Sequence, residues 1–192
     1  MGLDRDFKKI IKSHKENWDA ISADPNLSEA FIEQFADKLN WRMVSNRATL
    51  SEAFIEKHID RLDMSAILSR QKVSEAFLRK NMANFKWNDW KALSACQKLS
   101  EKFILEFADK INWTDITAGQ DLSEEFMEKY ADKIRWEYVA RYQRISEEFY
   151  WKHKDKLEIS FLLTNKKTDI STWSSEFQQE KKKAMANIAT VY

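Results

Sequence analysis

The residues most able to do chemistry are five aspartates that recur in register, Asp37, Asp60, Asp109, Asp132 and Asp155. Carboxylates along one edge could hold cations or a basic partner. A base follows each of them at once (Lys38, Arg61, Lys110, Lys133 and Lys156) and neutralises the row. Aspartate beside a turn commonly bonds local backbone, so the row is read as turn-forming, within a copy or to the next one. A second series, Trp18, Trp41, Trp87, Trp113 and Trp136, could stack nucleic-acid bases, but its helical spacing against apolar neighbours places it in a core. Trp90, Trp151 and Trp173 fall outside that series and are the better candidates for exposed contacts. His14, His58 and His153 lie far apart, and Cys96 has no second cysteine to join it. No zinc site is therefore expected. His58 and His153 occupy the place filled elsewhere by Phe35, Phe107 and Tyr130, as substituted core positions. Cys96 lacks an activating neighbour and reads as a packing residue.

Two glycines hardly suffice for a phosphate-binding loop, and neither a nucleophile elbow nor an H-E-x-x-H run occurs. The 31 carboxylates include no pair singled out for acid–base work. The chain is expected to be non-enzymatic, without catalytic, cofactor or metal sites.

These residues ride on a repeat. Leu27-Ser28-Glu29-Ala30-Phe31-Ile32 returns from Leu50, Val73, Leu99, Leu122 and Ile145, at intervals of 23 residues except for 26 between Val73 and Leu99. Each copy reads as helix, short turn, helix. Serine is a strong N-cap, and glutamate in the first turn suits the helix dipole. Leu27 and Ile32 form a hydrophobic staple. Phe31, Ile32, Phe35 and Leu39 share one face. Asn40, Asp63 and Asn112 sit where the second helix needs its N-cap. Trp41, Val44, Ser45 and Ala48 then continue at helical spacing, their small residues permitting close approach. A second helix of about two turns is unstable alone, so neighbouring copies must cover it, as in a solenoid.

The fold expected is all-α: an α-solenoid of about 23-residue helical-hairpin repeats. Residues 1–26 form a degenerate N-terminal repeat or cap, in which Trp18, Ile21 and Ser22 match the second helix and Pro25 ends it. Residues 27–168 hold six tandem repeats. Residues 169–192 supply a longer capping helix from about Thr172 to Ala189. The extra residues of the third copy are placed after Trp87, within 88–98. Irregularities in solenoids tend to mark a bend or a binding loop. Off the apolar stripe of the fifth copy lie Glu137, Tyr138, Arg141 and Tyr142, and Tyr and Arg are typical anchors. The expected partner-binding residues are therefore Trp90, Lys91, Tyr138, Arg141, Tyr142 and Trp151.

Composition agrees with this class. One proline, two glycines, eight tryptophans and twelve phenylalanines suit helices rather than turn-rich β folds. With 32 Lys plus Arg against 31 Asp plus Glu, the net charge is +1, which exerts no general pull toward nucleic acid. Met1 to Lys15 lacks an apolar signal core, and no apolar run reaches membrane-spanning length. The reading is a soluble intracellular protein without a membrane partner.

The run from Leu122 through Ser, Glu, Glu, Phe, Met, Glu, Lys, Tyr, Ala, Asp, Lys, Ile, Arg and Trp to Gln143 resembles a helical repeat found in proteins of bacteriophages and large DNA viruses. The likeness covers residues 27–168, and the third copy departs most: Asn81 stands where an aromatic or His is usual, Ala83 replaces the Asp and Trp90 an aliphatic residue. That family is mostly uncharacterised. The resemblance implies a viral protein of the host cytoplasm that engages a host protein or complex, such as an antiviral (anti-CRISPR-like) defence component. The function expected is a protein-binding scaffold that occludes a partner's working surface. Two alternatives stand beside it: a solenoid that binds nucleic acid, or blocks a nucleic-acid channel, through a local basic face; and, more remotely, a hydrolase or small-molecule sponge, which needs a deep pocket.

Overall fold

A computed structural model describes residues 5–189, with side chains over 6–187. The outermost residues of both expected caps, 1–4 and 190–192, lie outside the described residues. The described chain is all-helical, without a strand, and its regular helical hairpins pack in neighbouring pairs as an all-α, solenoid-like repeat.

The helices divide into two compact units, Met1–Gln97 and Lys98–Tyr192. The first holds α1 (Arg5–Ser13), α2 (Trp18–Ser22), α3 (Glu29–Gln34), α4 (Trp41–Arg47), α5 (Glu52–Lys57), α6 (Met64–Arg70), α7 (Glu75–Asn81) and α8 (Trp87–Cys96). The second holds α9 (Glu101–Glu106), α10 (Trp113–Gly119), α11 (Glu124–Lys129), α12 (Trp136–Tyr142), α13 (Glu147–Lys152), α14 (Ile159–Leu162) and α15 (Ser175–Ala189). Within each unit the second helices of the hairpins lie side by side: α2 on α4, α4 on α6 and α6 on α8, then α10 on α12 and α12 on α14, with α14 against α15. The units also correspond in sequence, since Trp18, Glu33, Trp41, Lys57 and His58 return 95 residues later as Trp113, Glu128, Trp136, Lys152 and His153.

The local signals act as their chemistry requires. The hydroxyls of Ser28, Ser51, Ser74, Ser100, Ser123 and Ser146 each accept the backbone N–H three residues on. Asn40, Asp63 and Asn112 cap the second helices in the same way. Phe31, Ile32, Ile55, Leu78, Phe103, Ile104 and Met127 then fall on the buried side, all within 2% of full burial, where each large side chain contributes about 1.5–3 kcal/mol.

Within each unit, three sets of hydrogen bonds tie neighbouring copies together. The first uses the recurrent glutamate: Glu29 accepts the N–H of Ser51 at 2.6 Å, Glu101 that of Ser123 at 2.7 Å and Glu147 that of Ser174 at 2.8 Å. The glutamate therefore does more than answer its own helix dipole, because it satisfies an orphan donor where the following helix begins. The second uses the glutamine that closes α6, α8, α10 and α12, where α4 has Ala48. The Gln143 amide oxygen accepts Leu122 N–H at 3.0 Å, and its nitrogen donates to the carbonyls of Thr117 and Gln120 at 2.6 and 2.8 Å. Gln97 repeats the pattern with Val73, Leu68 and Gln71. Asn165 and Thr168 divide the same work between them at the last boundary. The third uses a hydroxyl: Ser45 donates to Trp41 O at 2.7 Å and accepts Asp63 N–H at 2.9 Å. Ser22 and Thr117 do likewise.

Two sequence expectations are corrected. The C-terminal helix begins at Ser175, not near Thr172, because residues 170–172 form a separate 3₁₀ turn and Ser174 is the N-cap. Trp173-Ser174-Ser175-Glu176-Phe177 is thus a further opening of the repeat, with Phe177 fully buried. The extra residues of the third copy fall before Trp90 rather than after Trp87. Counted back from the closing glutamine, Trp90 occupies the place of Trp41, and Ser94 bonds Trp90 O as Ser45 bonds Trp41 O.

Candidate contact surface

The aromatic ladder is built from both helices of a hairpin. The indole N–H groups of Trp41, Trp113 and Trp136 donate to the carbonyls of Ala36, Ala108 and Ala131, at 2.8, 3.0 and 3.1 Å, which pins the turn between helices. Four of the bases that follow the turn aspartates lie over the preceding tryptophan ring: Lys38 over Trp18, Arg61 over Trp41, Lys133 over Trp113 and Lys156 over Trp136, at 4.5–5.7 Å. These bases therefore attend to rings and not chiefly to carboxylates. The turn aspartates themselves are exposed. Asp37 reaches Arg61 of the next copy at 3.5 Å. None of the five accepts a backbone hydrogen bond among the described contacts, so the expected bonding to turn backbone is not how these residues act.

The outer side of the first helices is self-paired. Lys57 meets Glu33 at 2.6 Å, Lys80 meets Glu56 at 2.5 Å and Lys152 meets Glu128 at 2.7 Å, each pair bridging adjacent copies. His58 and His153 lie against the Trp41 and Trp136 rings, at 4.9 and 4.8 Å, and reach Glu33 and Glu128 at 2.8 and 3.4 Å. The His58 and Lys57 bonds hold the Glu33 carboxyl below its ordinary range. Lys152 and then His153 do the same to Glu128.

The second helices differ. Of the exposed large apolar residues, Met43 (37%), Trp87 (71%) and Tyr142 (43%) are on second helices, and Met185 is on α15. Tyr138 and Tyr142 lie with ring centroids 5.8 Å apart. The Arg141 guanidinium carbon stands 3.7 Å from the Phe161 ring centroid. Its Nε is 3.3 Å from a Glu137 oxygen, an ion pair whose N–H is not aimed at the carboxylate. Tyr138, Arg141 and Tyr142 thus form one patch on α12 and α14.

The other expected contact residues are not joined to that patch. Trp90 is 7% exposed, with its ring edge-on to Phe85 at 5.9 Å, so it does not offer the exposed contact expected of it. Trp87, expected in the core, is the exposed one. Three extra residues add most of a turn ahead of Trp90, which takes the ladder position and leaves Trp87 outside. Lys91 is exposed beside it, with Nζ 5.5 Å from the Trp87 ring. Trp151 is half-buried: its indole donates to Glu147 at 3.0 Å, Lys154 covers its ring at 4.8 Å, and Tyr150 meets it edge-on. It belongs with the packing of α13 on α15, where Tyr150, Trp173 and Phe177 cluster. Burial, and then the bond to Glu180, pushes the Tyr150 hydroxyl well above the ordinary phenol range. Ser174 holds Glu147 below the usual carboxylate range through its hydroxyl and then its N–H.

Residues that sequence reasoning passed over complete the surface of the first unit. Arg42, Arg47, Arg70 and Lys91 are exposed on α4, α6 and α8. None has a carboxylate partner among the described residues. The two acids on these elements are spent as caps: Asp63 accepts Ala66 N–H, and Asp89 accepts Lys86 N–H at 2.7 Å. Counting back from the closing glutamine would have located them, because it aligns Lys91 with Arg42 and Arg70 with Arg47.

Concavities are open grooves at the loops. One of about 560 Å³ in the first unit runs past Asp60, Met64, Asn84 and Asn88, and one of about 700 Å³ in the second runs past Leu122, Arg144 and Lys167. Neither is lined by the expected contact residues. Among the described residues no cluster of His, Cys, Asp or Glu is arranged to hold a metal ion, and no helix is long and apolar enough to cross a membrane. No family model, curated protein or solved structure matches this chain.

Proposed function

We propose that this chain is a non-enzymatic scaffold that binds another protein through the outer side of its second helices. The observation that carries the reading is the contrast between the two outer sides. First helices neutralise charges in bridges between copies, whereas second helices present Met43, Trp87 and Tyr142 to solvent, with Tyr138 half-buried beside Tyr142. Aromatic and arginine side chains are the usual anchors of interfaces. Such anchors on rigid, side-by-side helices bind with little loss of conformational freedom. The resemblance to repeats of bacteriophages and large DNA viruses extends the proposal to a viral inhibitor that occludes a functional surface of a host defence protein in the host cytoplasm.

Affinity capture from the native host, followed by cross-linking, tests the reading. The wild-type chain is expected to retain one partner, and Tyr138→Ala/Tyr142→Ala or Trp87→Ala to lose it. Lys102→Ala, on a first helix, is expected to keep it. Loss through Lys102→Ala alone would move the contact to the first helices. Capture of nucleic acid in place of protein would replace the scaffold with the nucleic-acid reading.

A further inference from the structure

We infer that the second-helix side of the first unit receives an acidic segment of a protein, carrying an apolar anchor. This inference rests on the scaffold reading and names its partner class. The four cations without a carboxylate partner occupy two register positions on α4, α6 and α8. Arg42 and Lys91 hold one register position, and Arg47 and Arg70 the other. Between and beside them lie Met43 and Trp87, 37% and 71% exposed. Lys72, beyond the end of α6, donates to the Cys96 carbonyl and is not free to join them. Three of the four cations are arginines, whose guanidinium forks match carboxylates in pairs. Unpaired like charges on one face repel one another, and an acidic occupant removes that repulsion as it binds.

A nucleic acid has the same sign of charge but fits less well. Phosphate tracking needs a continuous basic path. At the positions of the second unit that correspond to Arg42, Met43, Asn46 and Arg47 stand Glu137, Tyr138, Arg141 and Tyr142, where Arg141 is committed to Glu137 and Phe161. Met43 offers a poor platform for bases but a deformable seat for a leucine or phenylalanine.

Fluorescence anisotropy with the full chain tests this. The probes are a labelled Glu-rich peptide of about fifteen residues with Leu and Phe at helical spacing, its Lys-for-Glu counterpart and an oligothymidylate of equal length. The acidic peptide is expected to bind at least about tenfold more tightly than either other probe, and to weaken at least about fivefold between roughly 50 and 300 mM salt. Arg42→Glu/Arg70→Glu is expected to weaken it by about tenfold or more and Trp87→Ala by about threefold, while Lys102→Glu stays within about twofold. Binding that ignores the arginine reversal, or oligothymidylate binding as tightly as the peptide, overturns the inference. A host partner captured by Arg42→Glu/Arg70→Glu as well as by wild type, yet lost by Tyr138→Ala/Tyr142→Ala, also overturns it while leaving the scaffold reading intact. A partner kept by every second-helix variant removes both.

Discussion

At the scale of single residues, the closing glutamines differ in how much they hold together. Gln143 is 1% exposed and answers one N–H at the start of its own copy and two carbonyls in the preceding one. Gln143→Ala strands three buried groups, and we expect a loss of about 2–4 kcal/mol, read from the urea midpoint at constant slope. Gln71 is half-buried and bonds Leu50 N–H, but its amide nitrogen has no partner. Gln71→Ala is accordingly expected to cost only about 1 kcal/mol. Equal costs would show that the amide nitrogen contributes nothing. Some roles at this scale were legible in advance and others were not. A serine before a first helix announces its cap because donor and acceptor are three residues apart. A glutamine says nothing about a partner more than twenty residues away. The glutamate after the serine had a local explanation in the dipole, which hid its bond to the next copy.

At the scale of helices, the bridges between α3 and α5 and between α11 and α13 predict a response to acid. Glu33 and Glu128 have folded-state pKa values below the ordinary 4.5. The folded chain therefore binds fewer protons than the unfolded one through the carboxylate range. Their contribution is present above the unfolded value and is lost as pH falls through the folded value. We expect Tm to change little above about pH 6 and to fall progressively below about pH 4.5, with Glu33→Gln/Glu128→Gln less stable at neutral pH and declining less steeply on acidification. Calorimetry across that range decides it, and an unchanged slope in the double variant would dissociate these bridges from acid unfolding. Helix boundaries were readable wherever a copy kept its full opening. They were misread in two places: at α8, where the length of an insertion is visible but its position is not until both ends are aligned, and at α15, where Trp173 and Ser175 replace the aliphatic residue and the glutamate that advertise a copy. The same insertion exchanged the expected places of Trp87 and Trp90.

At the scale of the molecule, stability belongs to neighbours. Second helices such as α4 and α12 have seven residues, too few to persist alone. Their burial comes from the adjacent copy, as in other one-dimensional arrays. A fragment of residues 27–72, two copies without neighbours, is expected to show a coil-like far-UV spectrum. The segment 98–192, a compact unit with α15 against α14, is expected to melt cooperatively. A helical spectrum for the short fragment would mean that a hairpin sustains itself. Repeat class and copy length were evident in the sequence because period and capping repeat openly. The outer side used for contact was not, since exposure of Met43 or Arg70 depends on which flank of a helix its neighbours cover.

The carboxylate handed forward between neighbouring copies of a unit has an implication for how such a chain changes length. Within a unit, the copy opening at Ser123 is received by Glu101 behind it and offers an equivalent acceptor, Glu124, ahead. A block excised and pasted in the same phase, such as residues 122–144, finds a compatible join on either side. Growth or shortening in whole blocks needs no new adhesive chemistry, so the extent of the exposed flank can be altered by duplication while the joints remain as they were.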